Sequence, residues 1–102
     1  MKMWQQGDVL LIQSTMPMGV TVRGDGILAY GEATGHMHRL ADATDGLLYE
    51  APDGTLWLRA GSHQATVVHE EHQPLTLPPG DYRVGRVKEY DHFAEEARIV
   101  HD

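Results

Sequence analysis

The sequence predicts an all-β fold, a small antiparallel barrel or sandwich with a short C-terminal helix. Three observations carry that expectation. About seven short apolar or alternating runs recur at the ~8–12-residue spacing of small β domains. The breaks between them are turn sequences, above all Gly24-Asp25-Gly26, Pro52-Asp53-Gly54 and Pro78-Pro79-Gly80. Helical spacing emerges at the end of the chain, after Asp91. The length of 102 residues suits a single β domain over residues 1–102, since domains cluster around ~100–150 residues.

The elements follow in chain order. Gly7 to Gln13 (GDVLLIQ) is a short apolar run bounded by Gly7 and by Pro17 and Gly19, and it reads as a buried strand. Val20 to Arg23 alternates and stops at Gly24-Asp25-Gly26, residues that tolerate positive φ. Gly26 to Glu32 is a third strand, with a continuation as far as Leu40 allowed by the pattern. Leu47 to Glu50 and Thr55 to Leu58 flank Pro52-Asp53-Gly54. Proline presets φ, aspartate closes the turn and glycine supplies positive φ, so this is a hairpin. Gln64 to Val68 is a further strand, and Pro74 to Leu77 and Tyr82 to Val87 lie either side of Pro78-Pro79-Gly80. Asp91 caps a last helix with Phe93, Ala94, Ala97 and Val100 on one side. Trp4 and Trp57 are expected in the core or at an interface.

Composition narrows the function. With 8 Lys+Arg against 15 Asp+Glu, the formal net charge is -7. That field repels polyanions and disfavours extended binding to nucleic acid or anionic lipid. No apolar stretch approaches the ~20 residues of a membrane helix, and Met1 to Gln13 makes a poor signal peptide. Cysteine is absent, which removes disulfides, thiolate metal sites and cysteine nucleophiles. Any metal must be held by histidine and carboxylates.

There are 7 histidines, and four of them form two pairs, His36/His38 and His69/His72. On a strand, residues i and i+2 share a side, so His36 and His38 project together and Arg39 faces away. Imidazole is the leading ligand for zinc, iron and nickel where thiolates are lacking. His69-Glu70-Glu71-His72 has i, i+3 spacing, unlike the i, i+4 pair of a helical zinc-protease motif. On a regular strand His69 and His72 face opposite sides. They share a site only through a bulge or turn, which the following Pro74 permits. Scattered single histidines (His63, His92, His101) are expected to be ordinary surface residues, as are Arg86 and Tyr90 by default.

Gly31-Glu32-Ala33-Thr34-Gly35-His36-Met37-His38 resembles in part the first metal motif of cupins; the second cupin motif is not matched, since Pro78-Pro79-Gly80 is followed by Asp81-Tyr82 and no nearby histidine. That resemblance implies a metal-binding β-barrel, with Asp42 in place of the glutamate that follows the second histidine. Over most of its length the chain resembles a family of short uncharacterised bacterial proteins with GHxHR and HEEH motifs. The matching segments are Gln6-Gly7-Asp8-Val9-Leu10, Gly35-His36-Met37-His38-Arg39, His69-Glu70-Glu71-His72, Leu77-Pro78-Pro79-Gly80-Asp81-Tyr82-Arg83-Val84 and Glu89-Tyr90-Asp91. It implies a cytoplasmic setting and no particular activity.

Three functions compete. The first is a divalent transition-metal site (Zn, Fe or Ni) on His36, His38 and His69 or His72, with Glu70 or Glu71 as general base or as an orienting partner. The second is a non-enzymatic homo-oligomeric interaction module with the histidines at a pH-sensitive interface. The third is metal-free His/Arg chemistry on a phosphodiester or RNA, with Arg39 or Arg86 on the phosphate and Tyr90 assisting. A homo-oligomer is expected in the first case too, because so small a chain has little depth to shield a site. The substrate, small molecule or protein partner, is not specified by these residues.

Overall fold

A computed structural model of the chain describes residues 2–30, 35–42, 46–87 and, for the backbone, 98–101. Among these residues there are β1 (Lys2–Gln6), β2 (Val9–Gln13), β3 (Thr21–Arg23), β4 (Ile27–Tyr30), β5 (Met37–Leu40), β6 (Gly46–Glu50), β7 (Leu56–Ala60), β8 (Ala65–Val68), β9 (Leu75–Leu77), β10 (Gly80–Arg86) and β11 (Arg98–His101). They build two sheets. One runs β11-β1-β2-β10-β7-β6-β3, the other β4-β5-β8-β9. All pairings are antiparallel except β1 with β11, which is parallel.

The fold is thus all-β, as the turn spacing predicts, but it is a sandwich-like pair of open sheets and not a closed barrel. The reason lies in the connections. Gly24-Asp25-Gly26 and Pro78-Pro79-Gly80 do not join hairpin partners. Each hands the chain from one sheet to the other, β3 to β4 and β9 to β10. Inward residues of both sheets meet between them: Trp4, Leu11, Leu58 and Tyr82 from the first pack on Leu40, Val67, Leu75 and Leu77 from the second. Trp4 stands edge-on to Tyr82, ring centroids 5.4 Å apart. Trp57 is buried in a smaller cluster with Met16 and Ala51.

The Pro52-Asp53-Gly54 hairpin forms as expected, joining β6 to β7 with Gly54 at φ +88°. The third strand does not run on to Leu40. The chain makes two antiparallel strands there, with Tyr30 opposite Met37 and Ala29 opposite His38. Lys2–Gln6 is a strand that the apolar pattern did not reveal. The expected helix after Asp91 is corrected in part. Residues 91–97 lie outside the described residues, while Val100 sits on β11 opposite Trp4, in keeping with the strand preference of the adjacent Ile99-Val100. Among the described residues no helix is long and apolar enough to cross a membrane.

Candidate metal centre

The two histidine pairs meet because of strand register. β5 and β8 are antiparallel neighbours, with Arg39 opposite Val68 and Leu40 opposite Val67. One step further along the same register sets His38 across from His69, and residues directly opposite share a face. Their ring centroids are 4.3 Å apart. β8 ends at Val68, so His69 begins an irregular turn that frees the second pair from strand alternation. That turn brings the His69 and His72 rings to 4.7 Å, and His72 to 6.0 Å from His38. His36, just before β5, meets His69 edge-on at 5.6 Å. All four histidines therefore form one cluster.

Two contacts tie the HEEH turn to β5. Glu70 Oε1 accepts the backbone N–H of Met37 at 2.8 Å, and this bond holds the Glu70 carboxyl below its usual range. Glu71 Oε1 lies 3.6 Å from His36 Nδ1. Donor atoms of His36, His69 and Glu70 all lie within 4.8 Å of one another, a spacing able to hold an ion. His69 Nδ1 accepts the N–H of Glu71 at 3.1 Å.

The β1–β2 hairpin closes the site from the other sheet. Its turn is two residues, Gly7-Asp8, with Gly7 at φ +58° and Asp8 at negative φ. Glycine first with positive φ is the pattern of a type II′ hairpin. A Cβ on Gly7 would stand 2.7 Å from His72 Nε2, so the bare glycine is what lets the imidazole lie against this turn.

Gln6, the last residue of β1, is 3% exposed and governs His38. Its Nε2 donates to the carbonyls of Val67 and Gln73, each at 2.9 Å. Both amide hydrogens are thereby used, which orients the side chain and leaves Oε1 as an acceptor. His38 Nδ1 lies 2.8 Å from that oxygen, so Nδ1 carries the proton and Nε2 keeps its lone pair. His38 is 2% exposed. Burial pushes its pKa down, neighbouring His69 adds to this and Asp8 opposes it, leaving the pKa at about 4. The ring is neutral at ordinary pH. Asp8 Oδ1 lies 3.8 Å from His38 Nε2, and Asp8 Oδ2 accepts from Arg86 Nη1 at 2.7 Å. Partial burial pushes the Asp8 carboxyl up, but the Arg86 hydrogen bond and charge outweigh it and the pKa is lowered.

The structure thus brings together His36, His38, His69, His72, Glu70 and Glu71. It does not bring Arg39 to them: Arg39 is exposed and alternates with the buried His38 along β5. Tyr90 lies outside the described residues. The arginine beside the cluster is Arg86. Asp42, the counterpart of the cupin carboxylate, is exposed; the carboxylates at the cluster come from the HEEH turn and from Asp8. Gln6, Gly7 and Asp8 are the residues in contact with the cluster that sequence reasoning did not single out as site candidates. The one local signal was the Gly7-Asp8 pair just before an apolar run, a turn sequence whose first strand the pattern did not reveal.

No curated protein and no solved structure matches the chain. A domain of unknown function, DUF8820, matches residues 5–87, a span that runs from β1 through β10 and encloses every residue of the cluster, and the chain belongs to that family.

Proposed function

We propose that the histidine cluster holds one divalent transition metal, zinc, iron or nickel. The observation that carries this reading is His38, whose Nδ1–H is donated to a buried glutamine of fixed orientation, so that Nε2 keeps its lone pair, 3.8 Å from Asp8 Oδ1, in a ring that lies against His69. An acceptor behind the ring is the usual support of a metal-binding imidazole, because it fixes the tautomer and raises the basicity of the ligating nitrogen. Donor atoms of His36, His69 and Glu70 lie at ligand spacing from one another, beside His38. His69 must adjust to join them: either Nδ1 leaves the Glu71 N–H or its Nε2 gives up a proton. Glu71 stands where it can orient His36. With three of His36, His38, His69 and Glu70 as ligands and an open position, a metal here would supply Lewis acidity, lowering the pKa of bound water toward ~7.

His72 and Glu71 are exposed, so a second copy over this rim would deepen the site, in keeping with a homo-oligomer. The family resemblance favours a cytoplasmic setting. Metal-free phosphodiester chemistry is less well supported, because Arg39 is exposed and alternates with the buried His38 along β5.

Elemental analysis by plasma mass spectrometry tests the proposal, on untagged protein purified without metal-affinity resin. About one transition metal per chain is expected, on the premise of a single site. His38→Ala should lose it, and so should His36→Gln, whose partly exposed position spares the fold. Full stoichiometry in both variants, or wild-type protein that stays empty after titration with zinc, iron and nickel, overturns the reading.

A further inference from the structure

Sheet register leaves a notch beside the cluster. β10 pairs with β7 only from Gly80 to Val84, where Leu56 is the last partner. β10 continues through Gly85 and Arg86, which are paired with β2 on the other side. On the β7 side the chain has already turned away into Asp53-Gly54-Thr55. Among the described residues no strand fills that place. The result is an open cleft of about 330 Å³ lined by this turn, by Leu56, by Arg83 to Arg86 and by Leu28 of the opposite sheet. Its volume is within the usual range of small-molecule sites.

We propose that this cleft binds a small organic anion with an apolar body, a carboxylate on a compact hydrocarbon or aryl frame. Two of the protein's 8 cationic side chains, Arg83 and Arg86, line it, and a guanidinium pairs with a carboxylate in bidentate geometry. The cleft's one carboxylate, Asp53, accepts both the N–H and the hydroxyl of Thr55 through Oδ1 at 3.0 and 2.7 Å, and it also feels the charge of Arg83, with which a bound anion would compete. Leu28, Leu56 and Val84 supply the apolar contact. Arg86 also joins the cleft to the histidines, because the Asp8 that it binds is 3.8 Å from His38 Nε2. An anion seated on Arg86 therefore sits one ion pair away from the cluster. The site stands whether or not the histidines hold a metal.

The test is a titration of ¹⁵N-labelled, metal-free protein with benzoate, followed by amide shifts. Benzyl alcohol and inorganic phosphate serve as parallel probes. Saturable shifts at Gly54, Thr55 and Gly85 are expected with benzoate. A tenfold or greater weakening is expected in Arg83→Gln, a variant whose native shift dispersion would show that it folds. Arg86→Gln should weaken binding similarly. Equal binding of benzyl alcohol would overturn the anionic requirement, and equal binding of phosphate the apolar body. Benzoate shifts confined to the histidine turn, or none at all, would overturn the site. Because metal is absent throughout, these outcomes are independent of the metal stoichiometry above.

Discussion

Two regions of the sandwich carry dense polar networks of opposite kinds. At the β6–β7 hairpin, Asp53 Oδ1 holds Thr55 and the Thr55 hydroxyl receives Trp57 Nε1, every contact spanning two residues of chain. At the histidine cluster, Gln6 bonds to partners 32, 61 and 67 residues away. The first network makes a local turn. The second can exist only after both sheets have assembled, and it fixes the protonation of a buried imidazole, which a turn has no need to do.

That contrast can be broken most severely at Gln6. Gln6→Leu strands the His38 Nδ1–H and two carbonyls, each lost partner costing about 1–3 kcal/mol when buried. Destabilisation of about 3 kcal/mol or more is expected in urea melts, with loss of bound metal. A cost below about 1 kcal/mol would show that the network is not sealed from water.

Acidification attacks the same network without mutation. His38 titrates at about 4 when folded against 6.5 unfolded. Between those values the unfolded chain takes up the proton and the folded chain does not. Stability of metal-free protein should therefore fall as pH drops from 6.5 toward 4 and level off below. The ceiling is about 3 kcal/mol, from about 1.4 kcal/mol per pH unit. Urea midpoints across that window measure it.

Glycine substitutions sharpen the comparison, because both turns hold one at positive φ. Gly54 has open space around its Cβ position, and Gly7 has His72. Gly54→Ala should cost about 1 kcal/mol of backbone strain. Gly7→Ala should cost about 2 kcal/mol and weaken metal retention besides. Equal effects on stability and metal would remove His72 from the site. The smallest change is expected from Asp53→Ala, which gives up exposed local bonds worth under about 1 kcal/mol and should leave metal content untouched.

The same division decided what could be read from the chain. Pro52-Asp53-Gly54 announced its hairpin because the turn is a property of adjacent residues. The HxH pair was legible for the same reason. The meeting of His38 with His69 was not, since it depends on the β5–β8 register across a separation of about 30 residues that no local pattern encodes. β1 escaped notice because both of its faces are covered: Met3, Trp4 and Gln6 are buried, so the alternation that marks a half-exposed strand is missing. Gln6 was hidden twice over, as a polar residue in a buried place whose partners lie in other strands.

The parallel pairing of β1 with β11 has a consequence for handling the protein. The family match ends at residue 87, yet Arg98–His101 sit against the outer edge of β1. A chain trimmed to the matched span would bare the hydrogen-bonding row of the strand that delivers Gln6. Exposed rows of that kind recruit other chains edge to edge. The last strand thus acts as a selvedge, keeping the sheet from fraying into its neighbours.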